Sequence, residues 1–204
     1  NLRFDTSVEK LAGLRTVFDK GPKATLSAGN STPLSDGAAA VLLCSEQWAS
    51  DHDLTVQAFL TTGRSASVDF INDEGLLMAP TVAVAEMLQR AGLKLQDFDF
   101  YEIHEAFAAQ VLCTLKAWES EEYCKKRLGL KKPLGGIDRK KLNVNGSSLA
   151  VGHPFAATGA RIVATLAQLL EEKGSGRGLI SVCTAGGMGV CAILERPESK
   201  STTD

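Results

Sequence analysis

The sequence contains no CxxC pair, no finger-like spacing of cysteine and histidine, and only three histidines in 204 residues. Its cysteines, Cys44, Cys113, Cys124, Cys183 and Cys191, are odd in number, which argues against a disulfide framework and favours a reducing compartment. No metal site is expected. Neither a GxxxxGKS or GxxxxGKT loop nor a G-x-G-x-x-G following a strand is present, so nucleotide hydrolysis and dinucleotide binding have no motif support. Apolar runs such as "DGAAAVLLC" (Asp36–Cys44) fall far short of the roughly 20 residues that cross a bilayer. A formal net charge of -2, with 23% charged residues, gives no electrostatic reason to expect nucleic acid or an acidic membrane as partner. No charged segment followed by an apolar stretch opens the chain, and Asn1 stands in place of methionine, so the first residues say little about targeting.

What is present is an alternation of strand and helix periods from about residue 56 onward. "VQAFLTTG" (Val56–Gly63) alternates apolar and polar positions, as a half-buried strand does. Pro80 opens a helix in which Val84, Met87, Leu88 and Ala91 share one face, and Gly92 supplies the stop. "FDFYEI" reads as the next strand. "EAFAAQVLCTLKAW" follows as a helix with Phe107, Val111, Leu115 and Trp118 on one stripe. "LNVNG" reads as a short strand, Pro154 to about Lys173 as a helix closed by Gly174, and "GLISVC" and "GVCAILE" as two final strands around a tight "TAGGM" connection. The order β-α-β-α-β-α-β-β predicts an α/β fold with a mostly parallel five-stranded sheet covered by helices.

Residues 1–54 differ in character. One apolar strand candidate, "GAAAVLLCSE", follows a long stretch rich in Gly, Ser, Thr and Pro, and one strand cannot build a core alone. These residues read as the tail of a preceding domain, and 55–196 as the α/β domain itself. Within it, residues 116–142 interrupt the rhythm with nine basic residues (Lys116, Lys125, Lys126, Arg127, Lys131, Lys132, Arg139, Lys140, Lys141) against Glu119, Glu121, Glu122 and Asp138. Such an insertion is either a solvated surface or a docking surface for a partner or anionic ligand. The tail 197–204 has the composition of a disordered segment.

Ligands of parallel α/β sheets bind beyond the carboxyl ends of the strands. Three polar residues fall at such ends: His104, His153 and Cys183. His153 stands at the start of the helix opened by Pro154, where the partial positive charge of the helix disfavours imidazolium and leaves a neutral ring; a plain capping role is the alternative. Gly152 lets a substrate come close to the backbone. Cys183 precedes "TAGGMG", whose backbone N–H groups can lower the pKa of a thiol, unless the cysteine is simply a small buried hydrophobe. Glu102 and Glu105 flank His104, and Glu105 either orients an imidazole or holds a helix N-terminus.

"HEAFAAQ" (His104–Gln110), "NVNGSSLAVGHPFAATGAR" (Asn143–Arg161) and "CTAGGMG" (Cys183–Gly189) resemble, in order and spacing, the three C-terminal motifs of the thiolases. "SAGNSTPLSDGAAAVLL" (Ser27–Leu43) is similar to the segment by which a thiolase chain returns from its loop region to its N-terminal half. The resemblance implies a βαβαβαββ half and an acetyl-CoA acyltransferase that cleaves 3-ketoacyl-CoA with CoA, or runs the reverse condensation. It assigns His153 the activation of a nucleophilic cysteine and a share of an oxyanion hole. Cys183 becomes the acid/base thiol, and the Ala185 N–H part of a second oxyanion hole. His104 stands where most members have asparagine, and this, with the 116–142 insertion, resembles the thiolase subunits of β-oxidation trifunctional complexes. There His104 holds the thioester oxygen, Ala106 and Phe107 line the pantetheine tunnel, and Ser31 or Thr32 lies near CoA.

The resemblance further implies CoA and acyl-CoA as substrates with no permanently bound cofactor, a homodimer or homotetramer, and a possible hydratase/dehydrogenase partner. Membrane is not required; a bacterial protein is expected in the cytoplasm, a eukaryotic one in mitochondria. The family's nucleophilic cysteine has no counterpart among these five, so the chain is expected to be a C-terminal portion that is inactive by itself. A biosynthetic acetoacetyl-CoA-forming thiolase and a non-catalytic CoA-binding or interaction module are the alternatives.

Overall fold

A computed structural model describes residues 2–198. The elements run α1 (Val8–Ala12), α2 (Glu46–Asp51), β1 (Phe59–Ser67), α3 (Ala79–Ala91), β2 (Phe100–Ile103), α4 (Ala108–Glu119), α5 (Glu121–Arg127), α6 (Ser148–Val151), α7 (Phe155–Lys173), β3 (Gly176–Thr184) and β4 (Met188–Arg196). The tail expected at 197–204 lies, apart from its first two residues, outside the described residues.

Among the described residues the sheet has four strands in the order β1-β4-β3-β2. Only β2 and β3 are parallel; β3 with β4 and β4 with β1 are antiparallel. The α/β class is as expected, but the fifth strand and the mostly parallel pairing are not found. "LNVNG" contributes a single bridge, Leu142 to Tyr101, before Asn143 turns the chain at φ 46°. The Asn143 side chain then takes over the work of a strand. Its Oδ1 accepts from the Ile103 N–H at 2.9 Å and its Nδ2 donates to the Ile103 carbonyl at 2.9 Å. Residues 37–44, also read as a strand, pair with nothing among the described residues and take no regular structure.

Each face of the sheet is covered separately. On one side α3 and α4 bury Val84, Met87, Leu88, Leu115 and Trp118 against Tyr101, Ile103, Leu179, Cys191 and Ile193. On the other, α7 buries Ile162, Leu166 and Leu170 against Ile180 and Leu194. A fully buried leucine or isoleucine contributes about 1.5–3 kcal/mol, so these two stripes hold the layers together. Gly178 makes the second contact close: a Cβ there would overlap the Leu166 side chain. The helices stop where the sequence indicates, with Gly92 and Gly174 left-handed at the ends of α3 and α7 and donating back into the last turn.

The basic segment 116–142 is anchored to the core. Leu128, Leu134, Ile137 and Leu142 pack on the α3/α4 side, Gln96 donates to the carbonyls of Leu134 (3.0 Å) and Gly136 (2.8 Å), and Arg127 pairs with Glu74.

Candidate active site

His104 is the first residue past β2, held beside β3 by its N–H bond to the Ser181 carbonyl (2.9 Å). His153 lies in the α6–α7 connection, and the two rings stand 4.2 Å apart between centroids, tilted by 46°. Cys183, the penultimate residue of β3, lines a small recess together with His104, Ile103, Gln110, Thr114 and Ser181. The structure thus brings the three sequence candidates to one end of the sheet.

A strap over this end is formed by residues 31–37. Ser31 bridges to Phe107; Thr32 donates to the Ala106 carbonyl through its N–H (3.0 Å) and its hydroxyl (3.2 Å). The His153 N–H donates to the Pro33 carbonyl at 3.0 Å. Ser31, Thr32, Ala106 and Phe107 are therefore neighbours, and Phe18 meets the Phe107 ring edge-on at 5.5 Å. Gly152 sits at φ 98°, and a Cβ there would strike the Ser35 hydroxyl. The glycine is needed for a positive φ and for the approach of this strap, rather than for the approach of a substrate. Ala185 is exposed in the β3–β4 turn and is not among the residues lining the recess.

Protonation follows from the hydrogen bonds. The Thr158 hydroxyl donates its one proton to the Pro154 carbonyl (3.1 Å), so the contact between Thr158 Oγ1 and His153 Nδ1 at 2.6 Å is donated by the imidazole. His153 Nε2 is left as the basic nitrogen. At His104 the order is reversed. Arg161 donates to Ser148 Oγ at 3.0 Å, and the Ser148 hydroxyl has His104 Nδ1 at 2.9 Å as its acceptor. Since the Ser148 hydroxyl has no other acceptor among the described residues, this network assigns the lone pair to Nδ1 and the proton of the neutral ring to Nε2, which is buried and has no partner among the described residues. One imidazole presents a lone pair and its neighbour a proton.

Both rings are neutral because burial, first, and the Arg161 charge lower their pKa values; His104, which also feels His153, is brought down to about 4. The expectation that the helix field does this at His153 is corrected. Pro154, not His153, occupies the N-cap of α7, and the imidazole makes no cap bond. The expectation for Cys183 is corrected in direction: burial outweighs the hydrogen bonds to its sulfur and pushes the thiol up to about 11, so it keeps its proton.

Glu105 holds a helix N-terminus, though of α6 rather than α4. It accepts from the Leu149 N–H at 3.1 Å and from Asn143 Nδ2 at 2.8 Å. Sequence reasoning passed over Asn143, Ser148, Thr158 and Arg161. For the last two a signal was available: Pro154, Thr158 and Arg161 follow i, i+4, i+7 spacing and share one face of α7.

Fold and cluster together define an α/β domain with a proton acceptor, a proton donor and an undissociated thiol at the end of its sheet. The family model of the thiolase C-terminal domain matches residues 54–196, and that of the thiolase N-terminal domain matches residues 1–47. The chain belongs to the thiolase family. It is 44% identical over 195 residues to a 3-ketoacyl-CoA thiolase of Alteromonas mediterranea, covering 96% of this chain and 44% of that protein. Human mitochondrial 3-ketoacyl-CoA thiolase superposes with a TM-score of 0.78 at 33% identity, over 95% of this chain and 44% of the human one. The acetyl-CoA acetyltransferase of Bacillus anthracis gives 0.77 at 37% identity, over 95% and 43%. The chain thus spans less than half the length of these relatives.

Proposed function

We propose that the protein to which this chain belongs is an acetyl-CoA C-acyltransferase of fatty-acid β-oxidation, and that the chain furnishes the C-terminal share of its active site. The observation that carries this is the imidazole pair His104 and His153, with ring centroids 4.2 Å apart and hydrogen-bond partners that assign their protons to opposite ring nitrogens, His104 sharing a recess with the Cys183 thiol. His153 Nε2 takes the proton of a nucleophilic cysteine supplied from outside residues 1–204. The thiolate attacks the 3-keto carbon, and the bond between C2 and C3 breaks. Its electrons move onto the acetyl-CoA enolate, whose oxygen the His104 Nε2–H binds. Cys183 protonates the enolate carbon. The resulting Cys183 thiolate then deprotonates CoA, whose sulfur attacks the acyl-enzyme while the Ala185 N–H faces the oxyanion. The nucleophilic cysteine leaves and recovers its proton from His153.

The cysteines of this chain support an external nucleophile. Cys124 and Cys191 are buried against Trp118 and Met87, and Cys44 and Cys113 are exposed. Ser31, Thr32, Ala106 and Phe107 form the side along which pantetheine lies. CoA and acyl-CoA are the substrates, with no resident cofactor. The complete protein is a homo-oligomer in the cytoplasm or mitochondrion, with the basic 116–142 surface facing a hydratase/dehydrogenase partner.

The test is thiolysis of 3-ketoacyl-CoA by the full-length protein and by the 204-residue chain, each followed by acetyl-CoA release. Activity in the first and none in the second is expected; turnover by the chain alone would overturn the reading. Likeness to an enzyme named acetyl-CoA acetyltransferase favours condensation as a second reading. A rate of acetoacetyl-CoA synthesis exceeding thiolysis of longer 3-ketoacyl-CoA would establish it.

A further inference from the structure

Glu102 is fully buried on β2, on the side of the sheet that α7 covers, and neither carboxylate oxygen has a hydrogen-bond partner among the described residues. An isolated buried carboxylate is among the costliest groups a core can hold. Arg161, projecting from α7, is the cation whose charge Glu102 feels, and Glu105 is the neighbouring anion. The guanidinium is itself incompletely satisfied: it donates to Ser147 (3.2 Å) and Ser148 (3.0 Å), while Nε is buried without a partner among the described residues. Ser148 in turn contacts His104 Nδ1 at 2.9 Å. The chain of contacts therefore leads from a buried carboxylate with no other visible purpose to the imidazole of the site.

We propose that Glu102 and Arg161 are positioning residues for His104, the carboxylate fixing the guanidinium so that Arg161 biases Ser148 toward donating to Nδ1 and Nε2 retains its proton. The Arg161 bond takes one of the two lone pairs of the Ser148 oxygen and turns the hydroxyl proton toward Nδ1; without it both lone pairs are free to accept from Nδ1, and the tautomeric bias weakens. Burial without contact fits such a role. An Arg161 in direct contact with the acid would be drawn away from the serines. A charge held across a gap restrains the guanidinium and leaves its N–H groups for Ser147 and Ser148. Burial pushes the Glu102 carboxyl up to about 7, with Arg161 opposing the shift, so its charge depends on that arginine.

The role of His104 rests on the proposed acyl transfer, so the experiment has two independent readouts on the full-length protein at pH 8, where Glu102 is ionised. The first is nitrogen-15 NMR of labelled histidine, with the His104 signals assigned by their loss in His104→Gln. The second is the steady-state rate of thiolysis. In the wild type the proton is expected on Nε2 alone. Glu102→Gln and Arg161→Lys should each give a mixed tautomer and lower kcat at least tenfold, with KM for CoA changed less than twofold. Ser148→Ala removes the last link without altering either charge, and keeps the test open if a charge variant fails to fold. Unchanged His104 nitrogen signals in Ser148→Ala, or in folded Glu102→Gln, would overturn the proposal. If the wild type shows no thiolysis, the functional reading falls, and the nitrogen signals still decide whether Glu102 and Arg161 set the tautomer.

Discussion

Cys183 and His153 carry their hydrogens in opposite senses, and each should fail differently when altered. A thiol pushed up to about 11 is a poor nucleophile at neutral pH but a ready donor to a carbanion, whose proton affinity is far higher. Serine at the same place keeps a proton but is a weaker acid. In the full-length protein, Cys183→Ser is expected to acylate the enzyme at a measurable rate while slowing release of acetyl-CoA by roughly 10²–10⁴-fold, the usual span of general acid–base catalysis. His153→Ala removes the base before the first step and should abolish acylation itself. Quenched-flow trapping of acyl-enzyme separates the two; equal and complete loss of both half-reactions would end this division of labour.

Glu102 provides a second prediction at the same scale, this one on stability. Its folded pKa is about 7 against an ordinary 4.5, so the folded state binds the proton that the unfolded chain has already lost. Between these values stability falls as pH rises, by roughly 1.4 kcal/mol for each pH unit crossed, or about 3 kcal/mol in all. The penalty is absent below 4.5 and complete above 7. Glu102→Gln has no such group. Urea unfolding of the full-length protein at pH 4.5 and pH 8 should show the variant gaining on the wild type by up to that amount at the higher pH.

At the scale of elements, the contrast between α3 and the absent fifth strand explains what the sequence could reveal. Helices α3 and α7 and strands β3 and β4 are local objects: their periods and the stops at Gly92 and Gly174 lie within one window, and they form where expected. "LNVNG" has a strand's apolar alternation but turn-forming asparagines and a glycine, and the turn prevails once the Asn143 amide can replace the missing backbone pairing to Ile103. That exchange joins residues 40 apart in sequence, beyond any local pattern. His104, His153 and Cys183 were legible as strand-end and turn residues, whereas Arg161 had only its place on the Pro154 face of α7 to mark it, because its partners Ser147 and Ser148 lie at the start of α6. Asn143→Ala should therefore cost about 2–4 kcal/mol, from unpaired buried amide groups of Ile103 plus left-handed backbone strain. Urea titration measures it, and a loss below about 1 kcal/mol would show that another group satisfies Ile103.

For the whole molecule, the revealing segment is 37–44. Eight residues of strand-forming composition, "GAAAVLLC", take no regular structure, and Leu42 and Leu43 are 67% and 68% exposed. Strand propensity expresses itself only through cross-strand partners, and none exists for this run among the described residues. Since the chain covers 44% of the Alteromonas relative, the missing neighbours can come from the remainder of such a protein. In the full-length protein this run is expected to form an inner strand, its backbone amides bonded on both sides. Hydrogen exchange distinguishes the two situations. Amides of 37–44 should exchange within seconds in the 204-residue chain and be protected by at least several hundred-fold in the full-length protein, while those of β3 and β4 remain slow in both. The isolated chain, with its apolar run uncovered, should also self-associate as its concentration is raised, through the same unsatisfied edge. Rapid exchange of 37–44 in the full-length protein would mean that these leucines are exposed for some other contact, and that the run is not a strand in any context.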